Sequence, residues 1–145
     1  MDHIDRRLID LLLVNGRASY AELGRRLSLS APAIAERIAK LEDTGIITGY
    51  GARIDRRALG YGTECLISLR LHSTSQGPVL KKLEALPQLL ACHRVTGEDC
   101  LMLRVAVRDM GELESLIDQL NQFGMSRTVV VLSTPFERPL PLVPS

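Results

Sequence analysis

Ser19-Tyr-Ala-Glu-Leu-Gly-Arg-Arg-Leu-Ser-Leu-Ser-Ala-Pro-Ala-Ile-Ala-Glu-Arg-Ile-Ala-Lys-Leu-Glu-Asp-Thr-Gly45 is the stretch whose reading decides the fold. It carries two helix-start signals and two short amphipathic helices, separated only by Leu27-Ser28-Leu29. Ser19 and Glu22 have the spacing of a capping box, in which the serine hydroxyl takes a free amide and the glutamate reaches back. Leu23 and Leu27 then lie four apart on one face. Ser30 caps the second helix, and Pro32 falls in its first turn, where a missing amide costs nothing. Gly45 ends it as a C-terminal cap glycine. Two capped helices joined through so tight a turn predict a helix-turn-helix, whose second helix enters the major groove of double-stranded DNA.

Working outward, Ile4, Leu8, Leu11 and Leu12 have helical spacing behind Asp2 as cap, and Asn15-Gly16 stops that helix. These four positions supply the third side of a small three-helix core with Leu23, Leu27, Ile34, Ile38 and Leu41. The β-prone, glycine-broken run from Ile46 to Ile54 predicts a short hairpin, a wing beside the helices. A DNA-binding domain is thus expected over 1–54 and a linker over 55–62. From 63 onward the period becomes two: Cys65, Ile67, Leu69 and Leu71 alternate with Leu66, Ser68, Arg70 and His72. A helix follows Ser75-Gln76-Gly77-Pro78, a second strand covers 89–96 and a third runs from Leu101 to Val107. A second helix carries Leu113, Leu116, Ile117 and Leu120, and a last strand covers 127–134. This order is the ferredoxin-like βαββαβ unit, expected over 63–135 with a tail at 136–145. The fold class is therefore α+β, a winged helix-turn-helix followed by a ferredoxin-like domain. Met102, Ala106, Val129 and Val131 make the strands apolar on both sides, so the face away from the helices predicts a homodimer.

The bulk numbers agree with this plan. Apolar residues make up 46% of 145, with no tryptophan, so the core must be aliphatic. Net charge is only +1, which argues against a protein coated in positive charge for indiscriminate nucleic-acid binding. The basic excess is concentrated over residues 17–57, with Lys/Arg at 17, 25, 26, 37, 40, 53, 56 and 57 against acids at 22, 36, 42, 43 and 55. No apolar run is long enough to span a bilayer, and the acidic start (Asp2, Asp5) is unlike a signal peptide. Three cysteines without a C-x-x-C pair suit reduced thiols. A cytoplasmic protein with no membrane partner is expected.

Over essentially its whole length the chain resembles the Lrp/AsnC (feast/famine) family of transcription regulators. The resemblance is carried by Asp2 to Leu12, by Asn15-Gly16-Arg17-Ala18-Ser19-Tyr20-Ala21-Glu22-Leu23, by Leu29-Ser30 onward through Arg37 to Tyr50, and by Cys92-His93-Arg94-Val95-Thr96-Gly97-Glu98-Asp99-Cys100-Leu101. It implies a DNA-binding domain, an effector-sensing ferredoxin-like domain, dimers that assemble further, often into octamers, and a small effector, commonly an amino acid.

In the DNA-binding half, Ser30, Pro32 and Ala33 open the recognition helix, where side chains reach base edges and small residues allow a methyl contact to thymine. Glu36 could accept from cytosine or simply pair with Lys40 four residues on. Arg37 could bind guanine or phosphate, and the resemblance places an arginine at that position. Lys40 shares the outward face, while Arg17, Arg25, Arg26 and Arg53 are candidates for phosphate contacts that position without specifying sequence.

In the other half, Thr96-Gly97-Glu98-Asp99 forms a tight turn whose amides could hold a ligand carboxylate and whose acids could hold an ammonium. The alternative is a plain hairpin turn with solvated acids. The resemblance puts the effector at this turn, beside the start of the last strand, which adds Ser126 and Thr128. Cys92, His93 and Cys100 flank it but lack a fourth ligand and regular spacing, so no metal is expected. No catalytic set or phosphate-cradling loop is present, so neither enzyme activity nor a cofactor is expected. Two alternatives make different demands on the sequence. A tetrapyrrole-binding sirohaem decarboxylase on the same scaffold would carry additional histidines and arginines around the sensing pocket, where this chain has just His93 and Arg94 near the turn. A structural DNA-compacting protein would bind in a sequence-tolerant way, against which the modest charge counts.

Overall fold

The computed structural model describes residues 1–140. The chain divides into two compact units, Met1–Arg53 with residues 138–140, and Ile54–Glu137. The tail expected at 136–145 lies partly outside the described residues.

The first unit holds α1 (His3–Val14), α2 (Tyr20–Leu27) and α3 (Ala31–Asp43). Leu8, Leu23, Leu27, Ile34, Ile38 and Leu41 form its buried core; of the four α1 positions expected there, Ile4, Leu11 and Leu12 are only partly buried against it. Each fully buried leucine or isoleucine contributes roughly 1.5–3 kcal/mol. A core this small leaves the helix ends and polar links a large share of the stability. Ser19 Oγ accepts from the Glu22 amide and Ser30 Oγ from the Ala33 amide, as expected of N-caps. The reciprocal half of the Ser19 box is not made among the described residues, and the Glu22 carboxylate lies 3.5 Å from Arg26 instead. A full capping box occurs instead on α1, between Asp2 and Asp5. The turn between α2 and α3 is closed by Ser28 in the left-handed region (φ 57°). At the far end of α3 the Gly45 amide donates to Glu42 O and the Ile46 amide to Leu41 O, both at 2.9 Å, which is a Schellman ending.

The wing is not formed: no described residue in 46–54 is in a strand. A β-prone run needs a ladder partner, and this one has none among the described residues of its own unit. Its backbone is tied locally, with the Ile47 amide donating to Leu41 O and the Tyr50 hydroxyl to Glu42 Oε1 at 2.7 Å. The expected linker contains a short 3₁₀ turn, Arg57–Leu59, within the second unit.

The second unit runs β1 (Thr63–Leu71), α4 (Gly77–Glu84), β2 (Leu89–Arg94), β3 (Leu101–Val107), α5 (Met110–Asn121) and β4 (Gly124–Val130). The strands form one antiparallel sheet in the order β2-β3-β1-β4, the ferredoxin-like arrangement. Cys65, Ile67 and Leu69 of β1 and Leu101, Leu103, Val105 and Val107 of β3 pack with Leu83 of α4 and Leu113, Leu116 and Leu120 of α5. Residues paired across the opposite face include Leu66 with Val129, Ser68 with Met102 and Glu64 with Ala106. Neither helix of this unit packs on that face, where Val129 is 55% exposed. The last strand begins three residues earlier and ends four earlier than alternation suggested. Gly124 opens it opposite Leu71, where a Cβ would run into the Arg70 carbonyl.

Candidate DNA-reading helix and effector cleft

Burial of Ile34, Ile38 and Leu41 sets the azimuth of α3 and leaves Pro32, Glu36 and Lys40, each four apart, exposed along one strip. Ser30 is exposed at the N-cap and Ala33 is half-buried beside it. This is the small-residue opening expected of a helix that approaches base edges closely. Glu36 and Lys40 make no ion pair among the described residues, consistent with the small net value of an exposed pair. Arg17 and Arg25 are likewise exposed. Arg26 pairs with Glu22, and Arg53 Nη2 donates to Val14 O at 3.3 Å.

Arg37 behaves differently from the other bases of this unit. Its Nη1 donates to Asp2 Oδ2 at 2.8 Å and to Asp5 Oδ1 at 2.7 Å. The Asp5 amide and then the Arg37 guanidinium hold the Asp2 carboxyl down at about 2. Asp5 is also lowered, first by the Asp2 amide and then by Arg37 against its own desolvation. Tyr50 is pushed up to about 12 by desolvation and by its bond to Glu42, so it remains a donor.

In the second unit, a cleft of about 630 Å³ opens on the uncovered face of the sheet. That volume is in the range of small-molecule sites. Thr96, Glu98, Asp99 and Ser126 line it, together with Arg70 and Arg127, Val95, Met102 and Met125. Gly97 turns the chain with φ 104°, a left-handed conformation that L side chains rarely adopt, and so presents the two acids to the arginines. Arg70 lies 2.6 Å from Glu98 and 3.7 Å from Asp99, and Arg127 3.5 Å from Asp99. Sequence reading missed both arginines because an outward basic residue on a strand looks like ordinary surface charge. Thr128 is not brought to the cleft: it is paired with Ile67, on the helix-covered face. Ser126, paired with Leu69, shares that face: it borders the cleft, but its hydroxyl donates to Asn121 Oδ1 at 2.8 Å. Among the described residues no group of three or more His, Cys, Asp or Glu could hold a metal, and no helix is long and apolar enough to cross a membrane.

Comparison with known proteins matches both units. The AsnC-type helix-turn-helix domain matches residues 1–42 and the Lrp/AsnC ligand binding domain residues 64–141. The HTH-type transcriptional regulator LrpC of Bacillus subtilis is 29% identical over 133 residues, covering 92% of each chain. The regulatory protein AsnC of Escherichia coli is 30% identical over 143 residues, 95% of this chain and 94% of that one. Among solved structures, B. subtilis LrpC superposes with a TM-score of 0.91 at 28% identity, covering 95% of this chain and 99% of that one. A feast or famine regulatory protein from Mycobacterium tuberculosis, solved with L-methionine, superposes with a TM-score of 0.87 at 30% identity, covering 96% and 97%. These relatives are named as regulators, and the enzyme reading finds no support among them. The chain belongs to the Lrp/AsnC family of transcription regulators.

Proposed function

We propose that the chain is a sequence-specific DNA-binding regulator whose DNA binding and assembly respond to an α-amino acid held in the cleft beside residues 96–99. The observation that carries this reading is the meeting of Arg70 and Arg127 with Glu98 and Asp99 around one opening. A zwitterion offers its carboxylate to guanidinium and its ammonium to carboxylate, so it exchanges exposed ion pairs of little net value for charge-assisted bonds of its own. The methionine complex of the M. tuberculosis relative supports that ligand class. On the DNA side, Ser30, Pro32, Ala33, Glu36 and Lys40 face the groove, and Arg17, Arg25, Arg26 and Arg53 contact phosphates. A second copy covers the uncovered sheet face to form a homodimer, and higher assembly up to an octamer closes the open cleft. The site of action is the cytoplasm.

The test is thermal unfolding of the full chain against each of the twenty amino acids, with sedimentation and DNA affinity followed in parallel. A ligand at ~100 times its Kd adds about 2.7 kcal/mol to the state it binds. The expected result is a raised midpoint with one or a few amino acids, lost in Asp99→Ala, and an accompanying change in assembly size or DNA affinity. No shift with any of the twenty would defeat the amino-acid assignment.

A further inference from the structure

We propose that Arg37 is the positioning residue of the recognition helix, acting through Asp2 and Asp5 rather than on DNA. The proposal rests on the DNA-binding reading of α3. Its basis is a closed network of four hydrogen bonds. Asp2 Oδ1 accepts from the Asp5 amide and Asp5 Oδ2 from the Asp2 amide, both at 2.9 Å. The remaining oxygen of each carboxylate accepts from the same nitrogen of Arg37, at 2.8 and 2.7 Å. All four carboxylate oxygens are thus engaged, and the start of α1 is tied to the middle of α3 across 32 and 35 residues of sequence.

The apolar contacts of the core set the azimuth of α3, but being non-directional they oppose a small roll about its axis less sharply than a directional bond does. A charge-assisted bond is directional and stops the roll. A roll of ~20° moves a side-chain tip lying ~5 Å from the axis by roughly 2 Å, more than a hydrogen bond to a base edge tolerates. The groove-facing residues Ala33 and Glu36 flank Arg37 within a turn, so fixing Arg37 fixes them. Arg37 is also poorly available to a phosphate. Its side chain is 29% exposed against 60% for Arg26, and its two partners leave the cluster with net negative charge.

The test is a double-mutant cycle on the full chain. Its probes are a duplex enriched from a random-sequence pool by the wild-type chain and a mixed-sequence duplex of equal length. Arg37→Gln removes the clamp from one side. Asp2→Asn with Asp5→Asn removes it from the other, while asparagine still caps α1. The expected result is that each change weakens binding to the enriched duplex by about tenfold, leaves mixed-sequence affinity and the salt slope unchanged, and adds nothing to the other. Arg37→Lys keeps an ammonium between the carboxylates and the unit folded, and holds near wild-type affinity. The opposite pattern overturns the proposal: the aspartate variant binds both duplexes more tightly, and Arg37→Gln costs the same factor in either background and lowers the salt slope by about one. A wild-type chain that enriches no duplex would defeat the DNA-binding reading instead. The clamp is then decided by thermal midpoints, where non-additive losses support it and additive losses overturn it.

Discussion

Gly24 lies inside α2, where helix propensity alone prefers alanine by about 1 kcal/mol. The turn reverses that preference. The Leu29 amide donates to Gly24 O at 2.9 Å, which draws the returning chain against the helix, and a Cβ on Gly24 would meet the Leu29 carbonyl. Gly24→Ala is therefore expected to destabilise the N-terminal unit by about 1–3 kcal/mol, read as an earlier thermal transition of that unit. A midpoint that rises, as propensity predicts, would refute the packing argument. Asp2 gives a second measurement at this scale. Its carboxyl is held at about 2, first by the Asp5 amide and then by Arg37. A depressed folded-state value means that the stabilisation is present above the ordinary carboxylate range and is lost as pH falls towards 2. Arg37→Gln should raise the Asp2 midpoint without returning it to the ordinary range, because the Asp5 amide remains. Carboxyl-carbon NMR titration of both proteins checks this, and an unmoved midpoint would mean that the ion pair is not formed in solution.

At the scale of elements, β1 shows how far alternation can be read. Ile67 is fully buried between Leu103 and Thr128, whereas its neighbour Leu66 remains 37% exposed on the other face. Ile67→Ala should cost about 2–5 kcal/mol in urea unfolding. Leu66→Ala should cost clearly less in the isolated chain, and equal losses would contradict the assigned faces. The helices and the three strands β1 to β3 were legible because apolar spacing, caps and turn residues agreed with one another. The start of β4 was not, since Gly124-Met125-Ser126 lacks β-branched residues and its glycine reads as a stop. That glycine is needed where the Arg70 carbonyl comes close. The wing failed for a different reason: composition over 46–54 reports β-propensity but not whether a partner strand exists. The acidic turn of the cleft was legible from its glycine and paired acids. Arg70 and Arg127 were not, because only the antiparallel register brings residues from β1 and β4 beside residues 96–99. The Arg37 clamp was hidden in the same way, its partners lying more than thirty residues away.

At the scale of the molecule, the sheet presents a covered face and an uncovered one, and the cleft opens on the latter. Leu66, Met102 and Val129 lie on the uncovered side by strand register, with Leu66 37% and Val129 55% exposed. An apolar surface of this kind on a chain of net charge +1 gains by self-association, since little charge repulsion opposes it. A glutamate at 129 would be solvated in an isolated chain and so should leave its folding nearly untouched. Between two copies the same carboxylate would be buried without a partner, at a cost of several kcal/mol. If the proposed dimer forms through this face, Val129→Glu should therefore sediment as a monomer under conditions in which the wild-type chain sediments as a dimer, with the far-ultraviolet spectrum unchanged. Weaker binding to a two-half-site duplex should accompany the loss, because one copy supplies one recognition helix. If Val129→Glu keeps the wild-type assembly size, the second copy does not sit on this face.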